Sequence, residues 1–268
     1  MPSVKIMGIL NVTPDSFSDG GRHNSPELAL AGAKRLIDEG ADILDVGGES
    51  TRPFASPVSI SDELARTIPA IELIKRHYPE VPLSIDTRNA EVAEAALAAG
   101  ADMINDISAL RHDPAMIKLA QETEVPVIIM HMQNNPANMQ LAPRYNDVVQ
   151  ELYDFFQERL RRLEELGLDL ERIIIDPGIG FGKTLAHNLS ILKHLGRFRE
   201  LGRPILLGHS RKSFLGEITG KRDQERDFAT AVVAALAVNQ GVSMIRVHRA
   251  AMVKEAVMIA RAIDSAAD

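Results

Sequence analysis

Lys5-Ile6-Met7-Gly8-Ile9-Leu10-Asn11-Val12-Thr13-Pro14-Asp15-Ser16-Phe17-Ser18-Asp19-Gly20-Gly21 is an apolar run that stops abruptly at polar, Pro- and Gly-bearing residues. The apolar part has the length of a buried strand, and the residues after it have the chemistry of a loop. Polar loops carried on the ends of strands are where binding and catalysis concentrate. The same succession recurs along the chain. Strand-like runs cover residues 5–10, 42–46, 82–85, 103–105, 126–130, 172–175, 204–207 and 244–247. Helical patterns fill the gaps at 26–39, 61–77, 90–99, 114–122, 147–166, 185–201, 225–240 and 253–266, most of them rich in Ala, Leu, Glu and Arg. Gly40-Ala41-Asp42 and Gly100-Ala101-Asp102 each read as a helix end leading into a strand. Eight βα units predict an α/β fold with a parallel sheet closed into a (β/α)8 TIM barrel. An open doubly wound sheet is the competing reading, and the number of units together with the length favours closure.

The chain has 268 residues, close to the roughly 250 of one α/β barrel. With no composition shift to divide it, residues 1–268 are expected to form a single domain. There are no cysteines, which excludes disulfides and thiolate metal sites and fits a reducing cytosol. No secretory signal is expected, and no uncharged apolar run reaches the ~18–20 residues of a membrane span. The net charge of −7, without a long basic stripe, argues against nucleic acid. Lys and Arg recur beside Ser, Gly and His in several loops, which suits a small anionic ligand.

In a barrel, function sits at the C-terminal ends of the strands. Those ends offer Asn11; Asp45, Glu49, Ser50, Thr51 and Arg52; Asp86, Thr87 and Arg88; Asn105 and Asp106; His131; Asp176; His209, Ser210, Arg211 and Lys212; and Arg246, His248 and Arg249. Amide and carboxylate groups mixed with cations suit a polar heterocycle and an anion. Asp86, Asn105 and Asp176 could each be an ordinary helix cap. Three of them on separate strands, facing one mouth, are harder to dismiss, and they could read the edge of a pterin or purine. A hard cation is a further possibility for such oxygens.

Two motifs fail closer reading. Gly178-Ile179-Gly180-Phe181-Gly182-Lys183-Thr184 lacks the spacing of a phosphate loop and of a dinucleotide fingerprint. Its glycines are expected to permit a tight turn or close backbone approach. Gly208-His209-Ser210-Arg211-Lys212 is not a nucleophile elbow, because Lys212 stands where Gly is required. A Lys and an Arg after a strand read better as an anion or carbonyl anchor, against the alternative of a solvated charge pair. His131 and His248 are weaker candidates. Tyr145, Phe155, Phe156 and the methionines 130, 132 and 139 are expected to pack in core or loop.

Several of these stretches resemble bacterial dihydropteroate synthases, in order and over essentially the whole chain. They are residues 7–21, DVGGESTRP (45–53), SIDT (84–87), NDI (105–107), HMQ (131–133), DPGIGFGK (176–183), SRKS (210–213) and RVH (246–248). The resemblance implies a transferase of folate biosynthesis on a (β/α)8 barrel. It would join p-aminobenzoate to 6-hydroxymethyl-7,8-dihydropterin diphosphate, giving 7,8-dihydropteroate and pyrophosphate. It implies that Asp86, Asn105, Asp176 and Lys212 hold the pterin and form the catalytic set. Asn11, Arg246 and His248 would bind the diphosphate, with Mg²⁺ near Asn11. Phe17, Thr51, Arg52, Pro53 and Ser210 would shape the p-aminobenzoate site, under loops around 15–21 and 49–55 that close over it. Lys183 is expected to be peripheral. A cytoplasmic homodimer acting on small molecules, a sulfonamide target, is the expectation. Arg249-Ala250, Ile179 and His209 depart from the family pattern, which bears on the outer phosphate site and drug response. The intact Glu49-Ser50-Thr51-Arg52-Pro53 argues against a sulfonamide-insensitive branch. A corrinoid-dependent methyltransferase is the alternative within the fold, and a catalytically dead binding protein the alternative outside enzymology. The diphosphate and aminobenzoate loops argue against the first, and the presence of Lys212, Asp86 and Arg246 against the second.

Overall fold

Strand-length apolar runs that are hydrophobic at nearly every position are buried on both faces, which requires a parallel sheet covered by helices. The computed structural model describes residues 3–13, 26–49, 58–133 and 139–266. Phe17, Thr51, Arg52 and Pro53 lie outside the described residues. Eight parallel strands run β1 (Lys5–Asn11), β2 (Ile43–Gly47), β3 (Leu83–Asp86), β4 (Met103–Asp106), β5 (Val127–Met130), β6 (Ile173–Asp176), β7 (Leu206–Leu207) and β8 (Met244–Val247). Their spatial order is β6-β5-β4-β3-β2-β1-β8-β7. A parallel bridge between Ile175 and Ile205, with Ile175 N donating to Pro204 O at 3.0 Å, joins the two edges and closes the barrel. The (β/α)8 expectation therefore holds.

The helices are α1 (Pro26–Asp38), α2 (Ile60–His77), α3 (Ala90–Ala98), α4 (Ala115–Glu122), α5 (Val148–Glu165), α6 (Leu185–Lys193), α7 (Ser213–Thr219), α8 (Asp227–Val238) and α9 (Ala251–Asp264). Two features differ from the sequence reading. The helix expected over 185–201 stops at Lys193, and a 3-10 helix follows at Leu195–Leu201. Gly196 sits at the break, and its N–H goes to Gln240 Oε1 at 3.2 Å instead of to a helical carbonyl. The short α7 has no counterpart in the sequence reading, because seven residues are too few to show a period.

Alternation along the strands sorts the side chains into two cores. Ile6, Leu10, Leu44, Val46, Ile85, Ile104, Ile129, Ile175, Leu207 and Ile245 face outward and pack under the helices. Met7, Ile43, Met103, Ile128, Ile174, Leu206 and Met244 form a separate cluster, one residue from each of seven strands. These seven fill the barrel interior and make an apolar floor.

Candidate active site

Side chains on a strand return to the same face every second residue. Two residues beyond Ile43, Met103, Ile174 and Met244 of the floor stand Asp45, Asn105, Asp176 and Arg246. The next inward layer toward the C-terminal mouth is thus polar, and its members meet across the lumen. Arg246 Nε lies 2.5 Å from Asp45 Oδ2, and Arg246 Nη2 lies 2.6 Å from Asp86 Oδ2. Asn105 Nδ2 donates to the same Asp45 Oδ2 at 3.1 Å. Asp45 is fully buried, and its Oδ1 has no hydrogen-bond partner among the described residues. Four strands, β2, β3, β4 and β8, are tied together by these contacts. Neither Asp86 nor Asn105 caps a helix. Asp106, next to Asn105, fixes the local backbone instead, and its carboxylate accepts from Ser108 N at 2.7 Å and Leu110 N at 2.9 Å.

Burial sets the electrostatics here. It pushes the Asp86 carboxyl up to about 7, against the pull of the Arg246 guanidinium. It pushes Asp176 up to about 6, against the Gly178 N–H that donates to its Oδ1 at 2.7 Å and the charges of Lys212 and Arg246. Burial alone would lower Arg246, but Asp45 and Asp86 outweigh it and raise the guanidinium above its ordinary value. Lys212 Nζ stands 4.0 Å from the centroid of the Phe181 ring. Across β7 and β8, Ser210 Oγ accepts from His248 N at 3.2 Å and lies 3.0 Å from His248 Nδ1. Asn11 is half-buried at the end of β1. A Cβ placed on Gly47 would meet Asn11 Oδ1 and Asp86 Oδ2, each at 3.7 Å, so the missing side chain leaves a gap between these two oxygens.

The loop 176–183 wraps the β6 side of the mouth. Gly178, Gly180 and Gly182 all take positive φ. Lys183 folds back under them and is buried. Its Nζ reaches Gly178 O at 2.9 Å, Phe181 O at 3.0 Å, His131 O at 3.3 Å and His131 Nδ1 at 3.1 Å. Burial lowers Lys183 to about 7, with Lys212 adding to the effect and Asp176 opposing it. Burial and the Lys183 charge drive His131 down to about 2, so its ring is neutral and Nδ1 is free to accept the lysine proton.

The pterin binding enzyme family matches residues 7–248 of this chain. The dihydropteroate synthase of Escherichia coli strain K12 is 46% identical over 260 residues, covering 97% of this chain and 90% of that protein. The Xanthomonas albilineans dihydropteroate synthase solved with 4-aminobenzoic acid superposes with a TM-score of 0.93 at 45% identity, covering 99% of this chain and 94% of that one. The same enzyme in complex with 7,8-dihydropteroate superposes with a TM-score of 0.90 at 43% identity, covering 99% and 95%. The chain belongs to the dihydropteroate synthases. Among this synthase's anticipated residues, the fold brings Asp86, Asn105 and Arg246 into one network and joins Ser210 to His248. Asp176 and Lys212 come to the same mouth, while Asn11 stands at its β1–β2 edge. Lys183 is a correction: a residue read as peripheral is a buried pillar of the 176–183 loop. Its signal was its position directly behind three glycines, where a backbone packed that closely needs an internal donor. Arg211, read as an anion anchor, points away and pairs with Asp227. Asp45 was one strand-end residue among many in the sequence. The two-residue step from Ile43 was the cue that it faces the lumen.

Proposed function

We propose that this synthase seats the dihydropterin of 6-hydroxymethyl-7,8-dihydropterin diphosphate on Asp86, Asn105, Asp176 and Lys212, and joins p-aminobenzoate to it with loss of pyrophosphate. The observation that carries this reading is the polar layer of Asp45, Asp86, Asn105, Asp176 and Arg246 directly above an apolar floor. A flat heterocycle with a hydrogen-bonding edge matches such a surface: apolar below, donors and acceptors at its rim. The 4-aminobenzoic acid and 7,8-dihydropteroate named with the Xanthomonas structures support the two substrates.

The reaction breaks the bond between the pterin methylene and the diphosphate oxygen, and the bonding pair leaves with pyrophosphate. The arylamine nitrogen forms the new bond to the methylene carbon and sheds its proton. Positive charge builds on the methylene as the diphosphate departs. The Asp86 carboxylate, held in place by Arg246, stabilises that charge in a site shielded from water. Arg246, His248 and Asn11 would receive the diphosphate; Arg246 commits one N–H to Asp45 and one to Asp86, so others remain for a ligand. Ser210 borders the p-aminobenzoate side, and Phe17, Thr51, Arg52 and Pro53 complete it in our reading, although these four lie outside the described residues. Catalysis then consists of positioning and charge compensation.

Mg²⁺ suits this donor set. Among the described residues no three His, Asp or Glu side chains gather as a protein-built metal cage would need. Mg²⁺ commonly takes one or two protein oxygens and fills its shell with phosphate and water. Asn11 Oδ1, beside the gap at Gly47, would supply such an oxygen. When bound, the ion neutralises the diphosphate and makes it a better leaving group.

We also propose a homodimer. Phe228, Val232 and Leu236 on α8, with Met252, Ile259 and Ile263 on α9, are exposed at helical spacing on two helices packed against each other. A second copy of the same face would cover them about a two-fold axis. One sheet carrying all eight strands supports a single domain. No helix among the described residues is long and apolar enough to cross a membrane. With the absence of cysteine, that supports the cytoplasm as the place of action, which cell fractionation would check.

One preparation tests the reading. Protein given both substrates and Mg²⁺ is expected to release pyrophosphate, form 7,8-dihydropteroate, lose most activity under a chelator and sediment as a dimer. A folded sample that binds pterin but releases no pyrophosphate would overturn the assignment.

A further inference from the structure

The loop that carries Ser210 and Lys212 is not held by the barrel alone. The first turn of α8, with the residue before it, grips the loop through three of its backbone groups and the side chains of His209 and Arg211. Arg211 N donates to Thr230 Oγ1 at 3.2 Å. Arg226 Nη1 donates to Arg211 O at 3.0 Å and to Lys212 O at 3.4 Å. The Thr230 carbonyl lies 2.8 Å from His209 Nε2. The Arg211 side chain closes a two-pronged pair with Asp227, Nε to Oδ1 at 2.7 Å and Nη2 to Oδ2 at 2.8 Å. Arg226 fits only because residue 216 has no side chain; a Cβ there would stand 2.3 Å from its guanidinium.

Arg211 itself has φ +57°, in the left-handed region that residues with a Cβ avoid. Such a conformation persists when its surroundings over-determine it, and it clusters at functional sites. Its effect here is geometric. The left-handed residue turns the chain so that Arg211 faces α8 while the next side chain, Lys212, faces the opposite way, over the Phe181 ring. We propose that Arg226, Asp227 and Thr230 form a positioning bracket for Lys212, with the Arg211–Asp227 pair as its handle. This rests on the reading above that Lys212 serves the pterin site. The bracket residues contact the loop and act through the direction they impose on Lys212.

A double-mutant cycle on the full chain tests it. Asp227→Ala is expected to cut kcat/KM roughly tenfold to a hundredfold, the scale of a displaced catalytic group. The loss is expected mainly in kcat and in the KM for pterin diphosphate. Arg211→Lys keeps the charge but loses the two-pronged geometry. It is the milder variant, for use if Asp227→Ala fails to fold, and is expected to lose activity in the same direction. Asp227→Glu should recover part of the activity. The deciding measurement is Asp227→Ala in a Lys212→Ala background. It should cost no further activity there, while the effects of the two substitutions on thermal midpoint remain additive. Activity losses that multiply in the double variant would make Asp227 merely structural and overturn the proposal, as would Asp227→Ala with full activity beside an inactive Lys212→Ala. An unaffected Lys212→Ala would instead overturn the assignment of Lys212 to the site.

Discussion

Lys183 and Lys212 are both cations at the barrel mouth, but they carry opposite kinds of cost. Lys183 Nζ is surrounded by three backbone carbonyls and one imidazole nitrogen, with no water needed to satisfy it. Removing it takes the donor from Phe181 O, His131 O and His131 Nδ1, while Gly178 O keeps Phe181 N at 3.1 Å; each buried acceptor that water cannot reach costs ~1–3 kcal/mol. Keeping it costs the desolvation of one ammonium, which is why its pKa is lowered to about 7. The hydrogen bonds outnumber that single penalty, so Lys183→Met is expected to destabilise the fold by roughly 3 kcal/mol. Lys212→Ala leaves the Lys183 clamp and the loop it holds in place. It is expected to leave stability within about 1 kcal/mol while losing a charge-assisted bond worth roughly 1.5–3 kcal/mol to substrate, about a tenfold to hundredfold drop in activity. Urea unfolding of both variants beside their steady-state rates separates the two. Equal unfolding midpoints would contradict the buried role of Lys183.

The 176–183 loop shows how an element is specified by what its backbone must approach. Gly178 has φ +67°, and a Cβ there would lie 2.0 Å from the backbone oxygen of His131. Neither the loop nor the end of β5 can retreat, because Lys183 clamps both. Gly202, at φ +70°, has nothing within 4 Å of the same added atom. Gly202→Ala therefore carries the left-handed penalty alone, about 1–2 kcal/mol. Gly178→Ala adds an overpacking cost of roughly 1–3 kcal/mol and should shift Asp176 through its bond to Gly178 N. The expected result is a clearly lower thermal midpoint and weaker pterin binding for Gly178→Ala only, read by calorimetry. Equal losses in the two variants would mean the contact with His131 is relieved without cost. The repeated glycines were legible as a close-approach loop, though nothing local said that β5 was the strand approached. Most strands and helices were equally legible within a residue or two, because each is long enough to show its period. α7 and the break after Lys193 were not, since one is too short and the other depends on Gln240 reaching back to Gly196.

At the scale of the whole molecule, the site is stabilised against its own preference. Asp86 and Asp176 have folded-state pKa values raised to about 7 and about 6, both chiefly by burial. A carboxyl raised in this way favours the fold fully below its unfolded value near 3.9 and loses that contribution as pH rises through the folded value. For Asp176 the window runs from about pH 4 to about pH 6, with an upper bound on the order of 3 kcal/mol. Asp176→Asn can keep the acceptor for Gly178 N but cannot ionise. Its stability relative to the parent chain is expected to climb across that window and level off above it, while its activity is lost. Chemical unfolding at several pH values checks this, and a pH-independent difference would show that the carboxyl is not held out of water. The chain's own pattern determined the eight βα units, the barrel and the set of loops from which a site had to be drawn, because period, turn chemistry and strand burial are local properties. Tertiary structure alone decided which polar side chains share the lumen. Arg246 reaches Asp45 and Asp86 across sequence separations of 201 and 160 residues. Closing the barrel sets that register, and it turns Arg211 away to α8 and Lys183 inward. Which charges are desolvated together follows from that closure, and with it the electrostatics that the reaction uses.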